Sequence, residues 1–139
     1  MSEQTIFELL HTIDQVTQKM LVKWRKTSNI DLGISHILAL HELRTHGESR
    51  PSDLAKHLNF TPASLTHLST KLTKNKLIER RQDEHDRRTT YWSITDKGIE
   101  LLNQAQLDGQ MLRKELFSHL SEEEQTTLLS IYKKLNTVL

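Results

Sequence analysis

The strongest constraint on this fold is a pair of short helices joined by a tight turn. Residues 51–58 place apolar side chains at helical spacing, and residues 59–60 form the turn. Thr61 and Pro62 predict the start of the second helix, because threonine caps a helix and proline loses no hydrogen bond in the first turn. A seam of leucines would be buried, and the other faces carry polar residues: Ser64, Thr66, His67, Ser69, Thr70, Lys71 and Lys74. This second helix should therefore present a face to a polar partner.

A charged hairpin follows the two helices. Residues 77–82 and 90–94 are rich in Ile, Tyr, Trp and Thr, which favours two strands, and the residues between them are mostly charged. Helix, turn, helix and basic hairpin make the layout of a winged helix-turn-helix, a fold that grips duplex DNA. We therefore expect a mainly α protein with a small β-hairpin wing.

Long helices are predicted on both sides of this region. Residues 5–27 carry one apolar stripe at three- and four-residue steps. Ser35 and Thr95 are predicted caps of two further helices, and Ser121 with Glu124 forms a capping box for the last one. The helices at the two ends exceed what a small winged helix needs, so their apolar stripes require a partner surface. The simplest partner is the same region of a second chain.

Charge and composition narrow the function classes. Residues 50–97 contain ten Lys/Arg and six Asp/Glu, a net charge of +4, whereas residues 1–49 carry −1 and residues 98–139 carry −2. A basic centre of this kind is typical of nucleic-acid binding. The absence of cysteine excludes disulfides, thiolate metal sites and cysteine-based sensing. No signal peptide or membrane helix of about 18 apolar residues is expected, so we predict a cytoplasmic protein with no membrane partner.

The chain resembles the MarR family of bacterial transcription regulators. The matching segments are residues 52–58, 64–72 and 77–80, together with Asp86-Arg87-Arg88 and the later Ile94-Thr95-Asp96-Lys97-Gly98. The helix order at both ends also matches, although only in general terms.

The resemblance implies a homodimer that binds a near-palindromic DNA operator, usually as a repressor. Residues 1–30 and 99–139 would then form the helical dimerisation region, and residues 31–98 the DNA-binding lobe of one intertwined domain. In many members a small, often aromatic or phenolic, ligand binds between the dimerisation arm and the DNA lobe and releases the DNA. The residues considered for such a pocket are His11, Trp24, His36 and Leu40, although a tryptophan on a helix stripe is more often a core or dimer contact.

The second helix of the pair is the predicted recognition helix. A major groove accepts one helix, and side chains near its N-terminus reach base edges. The candidates for base contact are Ala63, Ser64, Thr66, His67 and Thr70. Taken without the wing, the same helix would be better interpreted as a solvated surface helix.

Basic residues make up most of the other predicted DNA contacts. Arg87 and Arg88 lie at the hairpin tip, where an arginine can enter the minor groove, and the Asp86 carboxylate would hold a neighbouring guanidinium in place. The alternative for the tip is an ordinary mixed-charge turn. The candidate phosphate contacts, of which we expect about half to be real, are Arg50, Lys71, Lys74, Arg80 and Arg81. Two polar residues at helix starts, Ser52 and Thr61, are also predicted to contact DNA.

The sequence leaves three other classes of function to consider. Eight histidines suggest a metal sensor, and Glu42–His46 and Asp53–His57 have chelating spacing, but a structural zinc needs about four ligands, so no metal site or other cofactor is predicted. No phosphate-binding glycine loop or nucleophile motif indicates an enzyme. The remaining alternative is a protein-interaction module whose basic face binds an acidic partner.

Overall fold

The computed structural model describes residues 2–139 and confirms a mainly helical chain with a two-stranded wing. In chain order the elements are α1 (Glu3–Thr27), α2 (Ile34–His46), α3 (Pro51–Leu58), α4 (Pro62–Lys74), β1 (Ile78–Gln82), β2 (Thr90–Ile94), α5 (Asp96–Phe117) and α6 (Glu122–Val138). They form two compact units. One contains residues 27–106, and the other contains residues 1–26 and 107–139.

The unit of residues 27–106 has a core of leucines. Leu40, Leu43, Leu54 and Leu72 are at most 1% exposed, and Leu77 and Leu102 are buried to the same degree. Complete burial of each such side chain contributes about 1.5–3 kcal/mol, so this core holds α2, α3, α4 and the base of the hairpin together.

Local signals determine where most of these helices begin and end. Gly47 ends α2 with φ 76°, a left-handed conformation that glycine adopts without strain. The Thr61 hydroxyl accepts the Ser64 N–H at the start of α4, as the sequence predicted. The predicted cap at Ser35 was wrong: α2 begins at Ile34, and the Gly33 carbonyl accepts the Ile37 N–H. Ser35 therefore lies within the first turn and cannot cap it.

The hairpin is antiparallel and is anchored at its base. Ile78 pairs with Ile94 and Gln82 with Thr90, which leaves residues 83–89 as the tip. Ser49 exchanges two backbone hydrogen bonds with Trp92, at 3.0 and 2.8 Å. The wing is therefore attached to the segment after α2 as well as to α4 and α5.

A close backbone approach joins the hairpin base to α5. The Thr95 N–H donates to the Leu77 carbonyl, the Thr95 hydroxyl donates to the Lys76 carbonyl, and the Gly98 N–H donates to the Thr95 hydroxyl. A Cβ on Gly98 would overlap the Leu77 carbonyl oxygen and lie 2.7 Å from Ile94 Cγ1. Only glycine fits at this junction.

The unit of residues 1–26 and 107–139 exposes much of its apolar surface. On α1 the stripe predicted from the sequence is present, yet Ile6, Leu9, Leu10 and Ile13 are each about half exposed. On α6, which begins at the predicted Ser121–Glu124 capping box, Ile131, Tyr132 and Leu135 are at least half exposed. Over residues 2–139, no helix combines the length and the apolar character that crossing a membrane requires.

Gly98→Ala should destabilise the fold, because the added methyl group meets backbone that cannot move aside. We expect a loss of about 2–3 kcal/mol in the free energy of unfolding, measured by urea denaturation at fixed protein concentration. Gly109→Ala in the same helix is the matched control, since its Cβ would meet only Arg113 Nη2 at 3.8 Å. The free energy of unfolding of that variant should rise by about 0.5–1 kcal/mol, because alanine is more favourable than glycine in a helix interior. Equal effects of the two substitutions would contradict the junction described here.

Candidate nucleic-acid interface

The outer surface of α4 is polar and exposed along its N-terminal half. Leu65, Leu68 and Leu72 are buried, as the sequence predicted. The candidates for base contact all lie on exposed positions: Ala63, Ser64, Thr66, His67 and Thr70. The structure therefore brings these five residues onto the solvent side of a single helix.

Hydroxyl groups on this surface are already partly engaged. Thr66 donates its hydroxyl proton to the Pro62 carbonyl at 2.9 Å, and Thr70 donates to the Thr66 carbonyl at 3.3 Å. The Thr61 hydroxyl donates to the Ser64 oxygen at 2.9 Å. Such back-bonding leaves the threonines with oxygen lone pairs and methyl groups for contact with a partner. His67, the largest of the five side chains, offers ring nitrogens that can donate or accept.

The sequence predicts that Ser69 lies on the polar face of α4, and this prediction is wrong. It is 1% exposed, donates to the Thr66 carbonyl at 2.7 Å and accepts a hydrogen bond from Arg80 Nη2 at 2.6 Å. The Arg80 guanidinium also lies 5.4 Å from the centroid of the Trp92 ring. Arg80, a predicted phosphate contact, thus links β1 to α4 and is held in position by a hydroxyl and an aromatic face.

Asn59 sets the turn between α3 and α4. Its φ of 57° and ψ of 41° are left-handed, and the N–H of Phe60 donates to the Ala55 carbonyl at 2.9 Å. Asparagine tolerates this conformation better than most residues. At the other end of α3, Ser52 is exposed and Arg50 Nε contacts Asp53 at 3.3 Å.

Two of the predicted phosphate contacts are lysines of α4. Lys71 Nζ lies 3.6 Å from the carboxylate of Asp31, which is fully exposed. Lys74 lies exposed near the end of the helix. A loose pair with an exposed carboxylate can be exchanged for a pair with phosphate at little cost.

Arg81 forms an ion pair with Glu48. Its Nη2 and Nε donate to the two carboxylate oxygens of Glu48, at 2.6 and 3.2 Å, and its guanidinium lies 4.7 Å from the Tyr91 ring centroid. The hydrogen bond from Arg81 lowers the pKa of Glu48. This two-pronged pair neutralises Arg81, so it is a weaker phosphate candidate than Arg80 or the lysines.

The wing tip is organised by Asp86. Asp86 Oδ1 accepts hydrogen bonds from the Arg88 backbone N–H at 3.1 Å and from Arg88 Nε at 3.3 Å, and Oδ2 accepts the Thr89 hydroxyl at 3.3 Å. The Asp86 carbonyl accepts the Thr89 N–H. Arg88 is thereby tied to the turn. Arg87 is exposed, and within residues 2–139 no carboxylate lies within ion-pair distance of its guanidinium.

The residues predicted for a ligand pocket differ in exposure. His11 is exposed on α1, Trp24 is buried, and Leu40 is completely buried in its own unit. His36 is partly buried, and its Nδ1 has no hydrogen-bond partner among the described residues. Burial, followed by the charges of Lys71 and His67, lowers the pKa of His36, which favours the neutral ring at pH 7. His36 is therefore electrostatically coupled to α4.

One depression on α1 does not include these residues. It has a volume of about 400 Å³ and is lined by Gln18, Lys19, Val22, Lys23 and Lys26. Its open shape does not resemble an enclosed ligand pocket.

Comparison with known proteins agrees with this architecture. The MarR family model matches residues 32–90. Transcriptional repressor MprA of Escherichia coli K12 is 29% identical over 113 residues, which cover 81% of this chain and 64% of MprA. Wild-type MarR of E. coli in its apo form is 26% identical with a TM-score of 0.76, covering 92% of this chain and 93% of MarR.

Two further structures contain bound partners. A MarR mutant from E. coli, complexed with operator DNA, is 26% identical with a TM-score of 0.66, covering 94% of this chain and 93% of that one. The organohalide-sensing regulator RdhR-CbdbA1625 in its 2,4-dichlorophenol-bound form is 25% identical with a TM-score of 0.71, covering 96% of this chain and 80% of that one.

Fold and surface together define a winged helix-turn-helix protein with an exposed polar face on α4 and an arginine-bearing wing. Its sequence and its structure are both similar to those of MarR regulators along most of their length. Residues 32–90 match the MarR family of transcription regulators, and the similarity to MarR proteins extends beyond that segment.

Proposed function

We propose that this protein is a dimeric, sequence-specific DNA-binding transcription regulator that represses its target until a small molecule releases it. One observation carries the proposal: an exposed polar helix, α4, is joined through Arg80 and Ser69 to a wing whose tip presents the unpaired Arg87. The relative with operator DNA bound and the relative named as a repressor support it. Regulation rather than catalysis accounts for the site, and we assign the chain no enzymatic role.

Each part of this surface has a distinct task in the proposed complex. Helix α4 enters the major groove, where Ser64, Thr66, His67 and Thr70 face base edges and Ala63 allows close approach. Arg87 enters the adjacent minor groove, where the negative potential is concentrated. The remaining contacts, which go to phosphates or support the interface, involve Arg50, Ser52, Thr61, Lys71, Lys74, Arg80, Asp86 and Arg88.

We also propose that residues 1–30 and 99–139 form the dimer contact and residues 31–98 the DNA-binding lobe. The half-exposed apolar side chains of α1 and α6 support this assignment, because a soluble monomer rarely leaves so many such side chains in water. Two lobes related by a twofold axis would read half-sites about one helical turn, roughly 34 Å, apart. A regulator must reach its operator, so a cytoplasmic location follows from the proposed function.

The function is tested by fluorescence anisotropy with the DNA just upstream of the protein's own gene, against unrelated DNA, at two salt concentrations. We expect two chains per duplex at saturation, a preference of about a thousandfold and a steep loss of affinity with salt. Arg87→Ala should weaken binding roughly tenfold and reduce the salt slope by about 1. Arg113→Ala, which removes an exposed arginine from α5, should change neither quantity.

Failure to bind DNA at either salt concentration would contradict the proposal and favour a protein-interaction module. Equal, weak binding to both DNAs would contradict specific recognition of this promoter. If the Arg87→Ala variant keeps its affinity for DNA, the tip of the wing does not contribute to the interface and α4 alone would make the contact.

The role of Asp86 is tested by two substitutions that remove the same charge from the wing tip. Electrostatics alone predicts that losing an acid raises DNA affinity. Asp86→Ala should instead lower affinity, by about fivefold or more, because Arg88 and Thr89 lose the carboxylate that orders the turn. Glu84→Ala, at an exposed tip position, should raise affinity slightly. An increase for both variants in the anisotropy assay would show that Asp86 does not organise the wing.

The proposed effector is a small aromatic or phenolic molecule, and His11, Trp24, His36 and Leu40 remain the residues predicted to respond to it. The dichlorophenol-bound relative supports this chemical class. Substituted phenols added to the preformed protein–DNA complex should lower its anisotropy, whereas the same compounds should leave the free labelled DNA unchanged. A complex that withstands the whole series would contradict the phenolic class of effector.

A further inference from the structure

Helices α2 and α3 bring three potential metal ligands together. Glu42 Oε1 lies 3.0 Å from His46 Nε2 and 3.2 Å from His57 Nδ1. The ligand atoms of all three residues lie within 4.8 Å of one another. Glu42 and His46 are one turn apart on α2, whereas His57 comes from α3, so the cluster bridges two helices.

The distances suit a tetrahedral divalent cation. Zinc binds imidazole nitrogen and carboxylate oxygen at about 2.0–2.2 Å, which at tetrahedral angles separates neighbouring ligand atoms by roughly 3.3 Å. Two of the observed separations, 3.0 and 3.2 Å, are already close to this value. The two imidazole rings, with centroids 5.2 Å apart and a tilt of 37°, are not stacked face to face. Small rotations of exposed side chains would complete the geometry.

Burial and charge also favour a cation here. The Glu42 side chain is only 17% exposed, and within residues 2–139 no lysine or arginine nitrogen lies within 4 Å of its carboxylate. The two histidines, by contrast, are more than half exposed, which gives a metal ion access. A largely buried carboxylate requires a partner, and a cation held by the same three side chains would supply a stronger one than two imidazole N–H groups.

We propose that Glu42, His46 and His57 form a binding site for a zinc-class divalent cation, with water in the fourth position. Two imidazoles and a carboxylate, with no thiolate, suit zinc, cobalt, nickel or copper rather than magnesium or calcium. The bound ion would tie α2 to α3, the helix that leads through Asn59 into α4. Binding of this kind stabilises the folded state, because the three ligands are gathered only there.

The sequence predicts no metal site, because spacing along the chain groups too few ligands together. The fold brings ligands from two helices to one place. Spacing alone pairs His57 with Asp53, one turn earlier on the same helix, and gives Glu42 and His46 no third ligand. The packing of α3 against α2 instead turns His57 toward Glu42. Three protein ligands with an open position for water are sufficient for a zinc site.

The test uses full-length protein without a histidine tag, stripped of metal with a chelator. Cobalt chloride is titrated while the visible d–d absorption is followed, and zinc chloride is then added. We expect one cobalt ion per chain, an absorption of tetrahedral type, and its loss when zinc displaces cobalt. His57→Gln and Glu42→Gln should each weaken cobalt binding at least about tenfold.

His41→Gln is the matched control, because it removes an exposed histidine from the same helix outside the cluster. It should leave cobalt binding unchanged. Zinc should also raise the thermal midpoint of the wild type and of His41→Gln but not that of His57→Gln. No absorption in excess cobalt, or equal binding by wild type and His57→Gln, would overturn the site. Since no DNA is present, the outcome does not depend on the proposed regulatory function.

Discussion

The junction between the hairpin base and α5 is the constraint on which the rest of the unit of residues 27–106 depends. Thr95 bonds to the backbone of Lys76 and Leu77, and Gly98 lies against the Leu77 carbonyl so closely that any side chain would collide. These contacts fix where the second strand ends and where α5 begins. Because the Leu77 N–H also donates to the Leu72 carbonyl, the same few atoms connect the end of α4 to the wing.

From this junction the wing carries four arginines with different tasks. Arg80 is held by Ser69 and Trp92, Arg81 by Glu48, and Arg88 by Asp86. Only the guanidinium of Arg87 lacks such a partner in the part of the chain that the structure describes. Net charge alone would treat the four as equivalent. The pairing instead separates three arginines that are held by the protein from Arg87, which we propose enters a groove.

How much could be predicted from the sequence depended on how far apart the interacting residues are in the chain. Signals within four residues were informative: the Thr61 cap, the Ser121–Glu124 capping box and the leucine seam of α4 are all present. The predicted Ser35 cap lies two residues past the observed one, because the backbone of Gly33 begins the helix without a side-chain cap.

Features created by packing were missed, because spacing carries no information about them. Arg80 reaches Ser69 across 11 positions, and Arg81 reaches Glu48 across 33. Glu42 and His57 meet only because α2 packs against α3. Ser69 shows the consequence most clearly, since a serine in a polar run looks solvent-exposed until an arginine from the next element covers it.

The exposed apolar surface of α1 and α6 would allow the proposed regulator to form a dimer. A stable dimer buries about 800 Å² per chain, and apolar surface contributes about 25 cal/mol per Å² removed from water, less the cost of association. One lobe on one half-site binds weakly, but two linked lobes multiply their affinities, so specific binding depends on the dimer. An effector then needs no contact with α4 or Arg87. A ligand that favours a different separation of the two lobes lowers operator affinity while each protein–DNA contact surface stays intact.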